Sequence, residues 1–591
     1  MPQFAIASPG HHDVVGSGGL SSSSHALASA AGAQMLLRGG NAVDAALATA
    51  FALVVCEPAM SHLGGQGNML IQLAGDADAV GIDGYPTAPG AAHAEMYEWI
   101  ESPTQGGYRF WTKGGLNDTG ALSVAVPGNL AAWFYAYRRW TTLPLRTLVA
   151  PAIGYARDGV PMTLRMARFT EEARERLARF PASAALFLRP DGSPLQEGDV
   201  VVQKDLARTL QLLVEGGEDA FYRGEIGQAL VEYVQAEGGI LTRDDLERYP
   251  REQFRVLEPQ RAPFRGFEVL VSPPSSSATL LPILRLLEGF DLAQHEPLST
   301  AKLHLLAQCM KPAFADRVPY TGDHAFVDMP LEGLLSAEYA AARRAEIDER
   351  RATFPGPGNP WAYQGERLRA EADSHQRGHA DNPAACTTHH VHADRWGGLV
   401  SWTQTQGDAF GSAMVVPGYG FLLNNAMKLF DPRPGGSNSI APGKRPGTAP
   451  CPTLVRKDGR PVMALGSPSG TRIINAIAQT LVNTIDHGLC LQAAVDLPRI
   501  HWSGDEFEVE ADIPADALEG LRAMGHTLEV RHAKSPWFGA VQAVAWEPDL
   551  GVAHGAADPR RQGAVVGVAF DPSLRARGLE AASPNGTAAR A

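Results

Sequence analysis

Residues 384–407 read AACTTHHVHADRWGGLVSWTQTQG and bring one Cys, a Thr pair and three His into a short stretch. Several chemistries use such residues, and plain strand is the bland alternative. A metal site would need His389, His390 and His392 to converge. In a strand His390 and His392 share a face while His389 points the other way. No carboxylate-rich second cluster with ligand spacing accompanies them, so no metal is expected. Cys386 as a nucleophile would need a nearby base and a thiolate-favouring environment, and the sequence identifies neither. A Thr can attack an amide by another route. If the peptide bond before it breaks, its own α-amino group becomes a general base beside its hydroxyl. That amine titrates at about 7.7–8.0 in model peptides, close to working pH. One residue, Thr387, then supplies both nucleophile and base. Elsewhere, GSPSG at 466–470 is not a nucleophile elbow, because Pro468 stands where that motif needs Ser. The glycine loop GGQGNMLIQLAG lacks the order and spacing of a dinucleotide fingerprint.

The elements that must position these residues are readable in outline. Ser24 can cap the Ala/Leu-rich helix HALASAAGAQMLLR, which Gly39-Gly40 stops; Asn41 then caps AVDAALATAFALVVC, apolar enough to be buried all round. Residues 120–250 are mostly helical, and FRGFEVLVSPPSSSATLLPILRLLEGF gives a strand, a loop and an apolar helix. Residues 350–383 are polar, rich in Pro and Gly and without period, which predicts an exposed, flexible connection. Short alternating strands follow it, THHVHAD, GGLVSWTQT and PVMALGS, with the helix RIINAIAQTLVNTIDHG after the third. The tail 575–591 is expected to be disordered. Strands and helices in this arrangement predict an α+β fold of packed sheets covered by helices.

Composition narrows the partners. Among 591 residues, 64 acidic against 51 basic give a net charge of −13, so nothing favours nucleic acid or an anionic membrane. The five Cys are scattered without a CxxC pair, which argues against a disulfide framework and for a reducing compartment. No secretory signal and no run of about 18 apolar residues is seen, so a cytoplasmic location is expected; a mature periplasmic form would read the same way.

Long motifs carry a family resemblance from about residue 16 to about residue 505. They include SSHALASAAGAQMLLRGGNAVDAALATAFALVVCEPAMSHLGGQGNMLI, SVAVPGNLAAW, KPAFADRVPYTGD, TTHHVHAD, FGSAMVVPGYGFLLNNAMKLF, PGKRPGTAPCPT and GSPSGTRIINAIAQTLVNTIDHG. In these the chain resembles the γ-glutamyltransferase (glutathione hydrolase) family of N-terminal-nucleophile hydrolases. The resemblance implies a four-layer αββα sandwich of two stacked antiparallel sheets, made as a precursor that cuts itself before the first Thr of TTH. The cut would fall between Cys386 and Thr387, leaving chains of 386 and 591 − 386 = 205 residues that together form one composite domain. Thr387 would be the nucleophile, Thr405 would orient it, and the backbone N–H groups of Ser469 and Gly470 would form the oxyanion hole. No cofactor is implied. The partner is a small-molecule amide, and further association of heterodimers stays open.

Substrate positions depart from the family pattern. Tyr85 stands where an Arg grips the substrate carboxylate. Ala426 and Leu429 replace the Gln and Asp that hold its amino group, Gly407 replaces an Asn, and Thr448 and Ala449 replace a Ser pair. Lys428 is a candidate to restore the carboxylate contact. Each lost charge-assisted contact is worth roughly 1.5–3 kcal/mol. The expected activity is therefore a self-processing amidase or acyltransferase acting through an acyl-enzyme on Thr387, with an acyl group other than standard γ-glutamyl. The alternatives are a true glutathione hydrolase or γ-glutamyltransferase with re-sited recognition residues, and an inactive relative serving as a binding scaffold.

Overall fold

The computed structural model describes residues 3–100, 111–273, 276–364, 385–504 and 507–569. The alternating stretches after the polar connector become two ten-residue strands, and a large sheet grows on both sides of them. Seven strands of the two large sheets precede the connector: β1 (Val14–Gly16), β2 (Gly19–Ser23), β3 (Gln66–Gln72), β4 (Val80–Gly84), β5 (Arg255–Leu257), β6 (Gln260–Phe264) and β7 (Phe267–Val271). Seven follow it: β8 (Ala385–Asp394), β9 (Leu399–Asp408), β10 (Thr453–Lys457), β11 (Arg460–Gly466), β12 (Gln542–Glu547), β13 (Val552–Ala557) and β14 (Ala564–Val568). The first sheet runs β5-β4-β3-β9-β8-β2-β14 and the second β6-β7-β10-β11-β12-β13-β1. Every neighbouring pair in both is antiparallel.

Six helices matter here: α1 (Ala26–Leu37), α2 (Ala42–Cys56), α3 (Leu164–Glu172), α4 (Ser277–Leu287), α5 (Thr300–Tyr320) and α6 (Arg472–Ile485). Helix α2 is buried along its whole length, as its apolar sequence requires. Asn41 caps it, accepting from the Val43 and Asp44 N–H groups while Asp44 accepts from the Asn41 N–H. At α1 the cap is His25 rather than Ser24: His25 Nδ1 accepts from the Leu27 N–H at 3.2 Å. An imidazole nitrogen reaches that donor as a hydroxyl would, and the helix starts one residue later.

Alternation along the central strands sorts their side chains between two layers. Val391 and Ala393 of β8 meet Leu454 of β10, Ala464 of β11 and Val544 of β12 in an apolar layer between the sheets. Val400 and Trp402 of β9 face the other way, into a core shared with α2. Val455, Met463 and Leu465 cover the far face of the second sheet and pack with residues of α4, α5 and α6. Helix, sheet, sheet, helix is the αββα sandwich of the α+β class that the resemblance implied.

The connector differs from its expectation in its first part. Lys311 Nζ donates to the Thr353 carbonyl at 3.0 Å, Arg343 to the Gly356 carbonyl at 2.5 Å, and the Gly358 N–H donates to Asp316 at 2.7 Å. Side chains from α5 and the segment after it thus tie the backbone down, a form of order that leaves no hydrophobic period to read. Residues 365–384 and the tail 575–591 lie outside the described residues. Among the described residues no helix is long and apolar enough to cross a membrane.

Candidate active site

The Cys386–Thr387 bond lies at a fault in the ladder between β8 and β9. Cys386 pairs with Gly407 and Thr387 with Thr405, so β9 carries one extra residue, Gln406, opposite that bond. This is a β-bulge, which bends the strand and re-aims its side chains. Two features hold it. The Gln406 side chain donates to the Pro58 carbonyl at 2.6 Å. Gly407 sits at φ +97°, and a Cβ there would lie 2.0 Å from Asn425 Oδ1. The glycine is required by the bend, so the Asn of the family pattern has no room at this position.

Thr387 and Thr405 are direct cross-strand partners, both buried. The Thr405 hydroxyl accepts from the Gly407 N–H at 3.0 Å and donates to the Cys386 carbonyl at 2.5 Å. In the uncut chain its proton therefore goes to the carbonyl before Thr387, not to the Thr387 hydroxyl that the resemblance implied. The bulge swings it there. A donor on that oxygen stabilises the negative charge that builds when the carbonyl carbon is attacked.

Ser469 and Gly470 lie between the end of β11 and α6. Their carbonyls accept from the Arg472 and Ile473 N–H groups, each at 3.2 Å, so the pair leads straight into the positive end of the α6 dipole. Both have positive φ, +94° for Ser469 and +59° for Gly470. A side chain in that region costs of order 1–3 kcal/mol. The Ser469 hydroxyl answers the strain, since it accepts from Arg561 Nη2 at 3.1 Å and lies 3.4 Å from the Pro536 carbonyl. Expected stabilities in the uncut Thr387→Ala background follow. Ser469→Ala keeps the strain and loses the anchor, costing about 1–3 kcal/mol. Ser469→Gly recovers part of that loss by freeing the backbone. Denaturant midpoints give the order, and an unchanged Ser469→Ala would contradict it.

Arg561 had no sequence signal, standing in the unremarkable run DPRRQG. Its Nη1 donates to the Thr387 carbonyl at 2.5 Å while Nη2 holds Ser469, so one buried guanidinium ties the strand to the loop. Burial, aided by the positive Arg165 nearby and opposed by Glu57, pulls it down to about 9. On the opposite face of β8 the Thr388 hydroxyl donates to Glu57 Oε2 at 2.7 Å. Cys386 is buried, and burial pushes its thiol up to about 12. It is a protonated thiol at neutral pH, which removes the thiolate reading.

The three His lie as the strand period predicts. His389 Nδ1 is 2.8 Å from Thr403 Oγ1, and its ring covers Gly466, where a Cβ would come within 2.2 Å. On the other face His390 Nδ1 is 2.8 Å from His392 Nε2 and Gln404 donates to His390 Nε2 at 2.7 Å. Among the described residues no group of three or more His, Cys, Asp or Glu is placed to hold a metal ion. Burial pulls His389 and His392 down to about 3 and His390 well below its usual value, so all three are neutral. Such groups take up a proton only on unfolding. Their contribution to stability is complete above about 6.5 and is lost as pH falls towards about 3. Burial raises Asp394 to about 6, which opposes the loss over part of that window. The thermal midpoint should fall as pH drops below about 6; a midpoint that rises on acidification there would refute the neutral assignment.

A cavity of about 580 Å³ opens beside this cluster, with Cys386, Ser469, Arg561, Arg165, Phe169 and Trp537 in its wall. The expected substrate-holding residues are elsewhere. Tyr85 and Thr448 border a space of about 10 Å³ shared with Asp83 and Arg445, and burial pushes the Tyr85 phenol up to about 12. Ala426 and Leu429 belong to an apolar cluster with Tyr97 and Phe430. Ala449 is half-buried next to Thr448. Lys428 is ion-paired with both Asp118 and Asp408. Its charge is spent, so it does not restore a carboxylate contact.

The family description Gamma-glutamyltranspeptidase matches residues 28–568. The chain belongs to this family. It is thereby a self-processing amide-cleaving enzyme of the N-terminal-nucleophile class, with a precursor that yields a large and a small subunit. The Acylase ACY 1 proenzyme of Pseudomonas sp. (strain SE83) is 41% identical over 556 residues, covering 94% of this chain and 94% of that protein. The glutathione hydrolase proenzyme of Bacillus subtilis (strain 168) is 37% identical over 559 residues, covering 94% and 92%. Among solved structures, cephalosporin acylase from Bacillus halodurans superimposes with a TM-score of 0.82 at 30% identity, covering 97% of this chain and 99% of that one.

Proposed function

We propose that Thr387 is the nucleophile and that the precursor cuts between Cys386 and Thr387. The Thr387 hydroxyl adds to the Cys386 carbonyl carbon while Thr405 donates to its oxygen. The C–N bond then breaks, the nitrogen takes the hydroxyl's proton, and Cys386 is left as an ester on Thr387. Water hydrolyses that ester, freeing the Cys386 carboxylate and the Thr387 hydroxyl, which stands beside the α-amino group released when the C–N bond broke. The free amine is the base for later turnovers, in which a substrate amide acylates Thr387, the amine product leaves, and water or an acceptor amine takes the acyl group. Ser469 and Gly470 are the proposed oxyanion donors in these turnovers.

The observation that carries the reading is the Thr405 hydroxyl on the Cys386 carbonyl, at a bulge beside the 580 Å³ cavity that Cys386 lines. The acyl group is other than free γ-glutamyl. The positions at which the family grips the glutamate carboxylate border only about 10 Å³ here, room for no more than one water. The similarity to acylases supports an acylase role over glutathione hydrolysis. Turnover of γ-glutamyl-p-nitroanilide should fall at least about 100-fold below that of the best simple acyl-p-nitroanilide, as two lost charge-assisted contacts require. A low KM for the γ-glutamyl compound would overturn this choice of substrate.

A further inference from the structure

The buried guanidinium of Arg561 is held by neutral partners. Its Nη1 donates to the Thr387 carbonyl at 2.5 Å and lies 3.9 Å from the Met60 sulfur, and its Nη2 donates to the Ser469 hydroxyl at 3.1 Å. Its Nε is buried without a hydrogen-bond partner. A tie between a strand and a loop needs only a neutral donor, and burying a charge away from an anion is costly. The tie alone therefore does not account for the charge.

Self-cleavage creates a group that would feel it. In the uncut chain the Thr387 nitrogen belongs to an amide and is not basic; after the cut it is an amine. That nitrogen is three bonds from the carbonyl oxygen that Arg561 holds, which puts the guanidinium within about 6 Å of it. A like charge at that range disfavours the ammonium form, and the burial of Thr387 acts in the same direction. The other charges around Thr387 leave the balance positive. Glu57 lies on the opposite face of β8, where it accepts from the Thr388 hydroxyl. Asp408 is ion-paired with Lys428, and Asp558 with Arg499 and Arg560. Arg168, Glu172 and His532 line the cavity but are exposed to water, while the half-buried Arg165 adds to the positive side. The carboxylate that the cut creates at Cys386 must leave the acyl side of Thr387 before a substrate can take its place. We propose that Arg561 is a positioning residue acting through the Thr387 α-amine, its charge keeping that amine unprotonated at neutral pH and ready to take the hydroxyl's proton in each turnover. This rests on the reading of Thr387 as the nucleophile.

The test titrates the amine in the self-cleaved protein. Its acetylation by acetic anhydride is followed across pH as the acetylated Thr387 peptide of the short chain. Over the same range kcat/KM is measured with the best simple acyl-p-nitroanilide. The amine should titrate at least about one pH unit below the 7.7–8.0 of model peptides, and the acid limb of kcat/KM should coincide with it. Arg561→Gln keeps a neutral donor and should raise both midpoints by about one to two pH units. Activity at pH 6, relative to the variant's own plateau, should then fall about 10-fold or more. Arg561→Lys keeps a cation and should hold both midpoints near those of the unaltered protein. A residue that only tied strand to loop would lower the plateau and leave the midpoints in place. An amine midpoint at 7.7–8.0 in the unaltered protein, or one that Arg561→Gln does not move, would overturn the assignment. Should Arg561→Gln stay uncut, the unaltered protein and Arg561→Lys decide: low midpoints in both support the assignment, and a midpoint at 7.7–8.0 in either overturns it. If N-terminal sequencing finds no chain beginning at Thr387, the nucleophile reading falls and this assignment with it. A correct cut with an unperturbed amine removes this assignment alone.

Discussion

Thr387→Ala should purify as one chain of 63.0 kDa, whereas the unaltered protein should give two chains of 386 and 205 residues, the shorter beginning at Thr387. Intact mass and N-terminal sequencing read this directly. The expected loss is the largest of any single substitution. Removing a nucleophile that also supplies the base abolishes processing and turnover together, and loss of a nucleophile alone has cost about 10⁶ in rate elsewhere. Thr387→Ser retains a hydroxyl and should still cut, more slowly. A cut that persists in Thr387→Ala would refute the assignment of the bond and of the nucleophile at once.

Thr405→Val has the next largest effect. Valine matches the shape of threonine but removes the donor on the Cys386 carbonyl and leaves the Gly407 N–H without its acceptor. Self-cleavage should slow about 10²–10³-fold, the loss seen when one oxyanion donor is removed. Uncut protein should accumulate, and its conversion can be followed on a denaturing gel. Thr405→Ser keeps the donor and should cut at close to the original rate. If Thr405→Val processes as fast as the unaltered chain, the 2.5 Å contact is incidental to the reaction.

The features legible in the sequence were those with a local cause. Period-2 alternation exposed β8 and β9 and separated His389 from His390 and His392. Cap chemistry at Asn41 and the long apolar run of α2 marked a buried helix. Long ordered motifs implied the layer order. The bulge at Gln406 was not legible, because it depends on Pro58 and Asn425 from elsewhere in the chain. Arg561 was missed for the same reason: a lone Arg carries no spacing, and what distinguishes it is burial among distant residues. Lys428 misled in the opposite way. Its position suggested a free cation, while Asp118 and Asp408 had already claimed it.

The strand order has a consequence for the life of the protein after processing. A cut before Thr387 would assign β8, β9 and β14 to one chain and β2–β5 to the other, yet the first sheet runs β5-β4-β3-β9-β8-β2-β14. In the second sheet, β10–β13 of the short chain would be flanked on both sides by strands of the long one. Neither product owns a closed sheet. A chain that folded as one molecule would then be held as a woven pair, and regaining its form after denaturation would require two separated chains to meet and interlace. The molecule folds once with its ends joined, and thereafter its persistence is a matter of how slowly it comes apart.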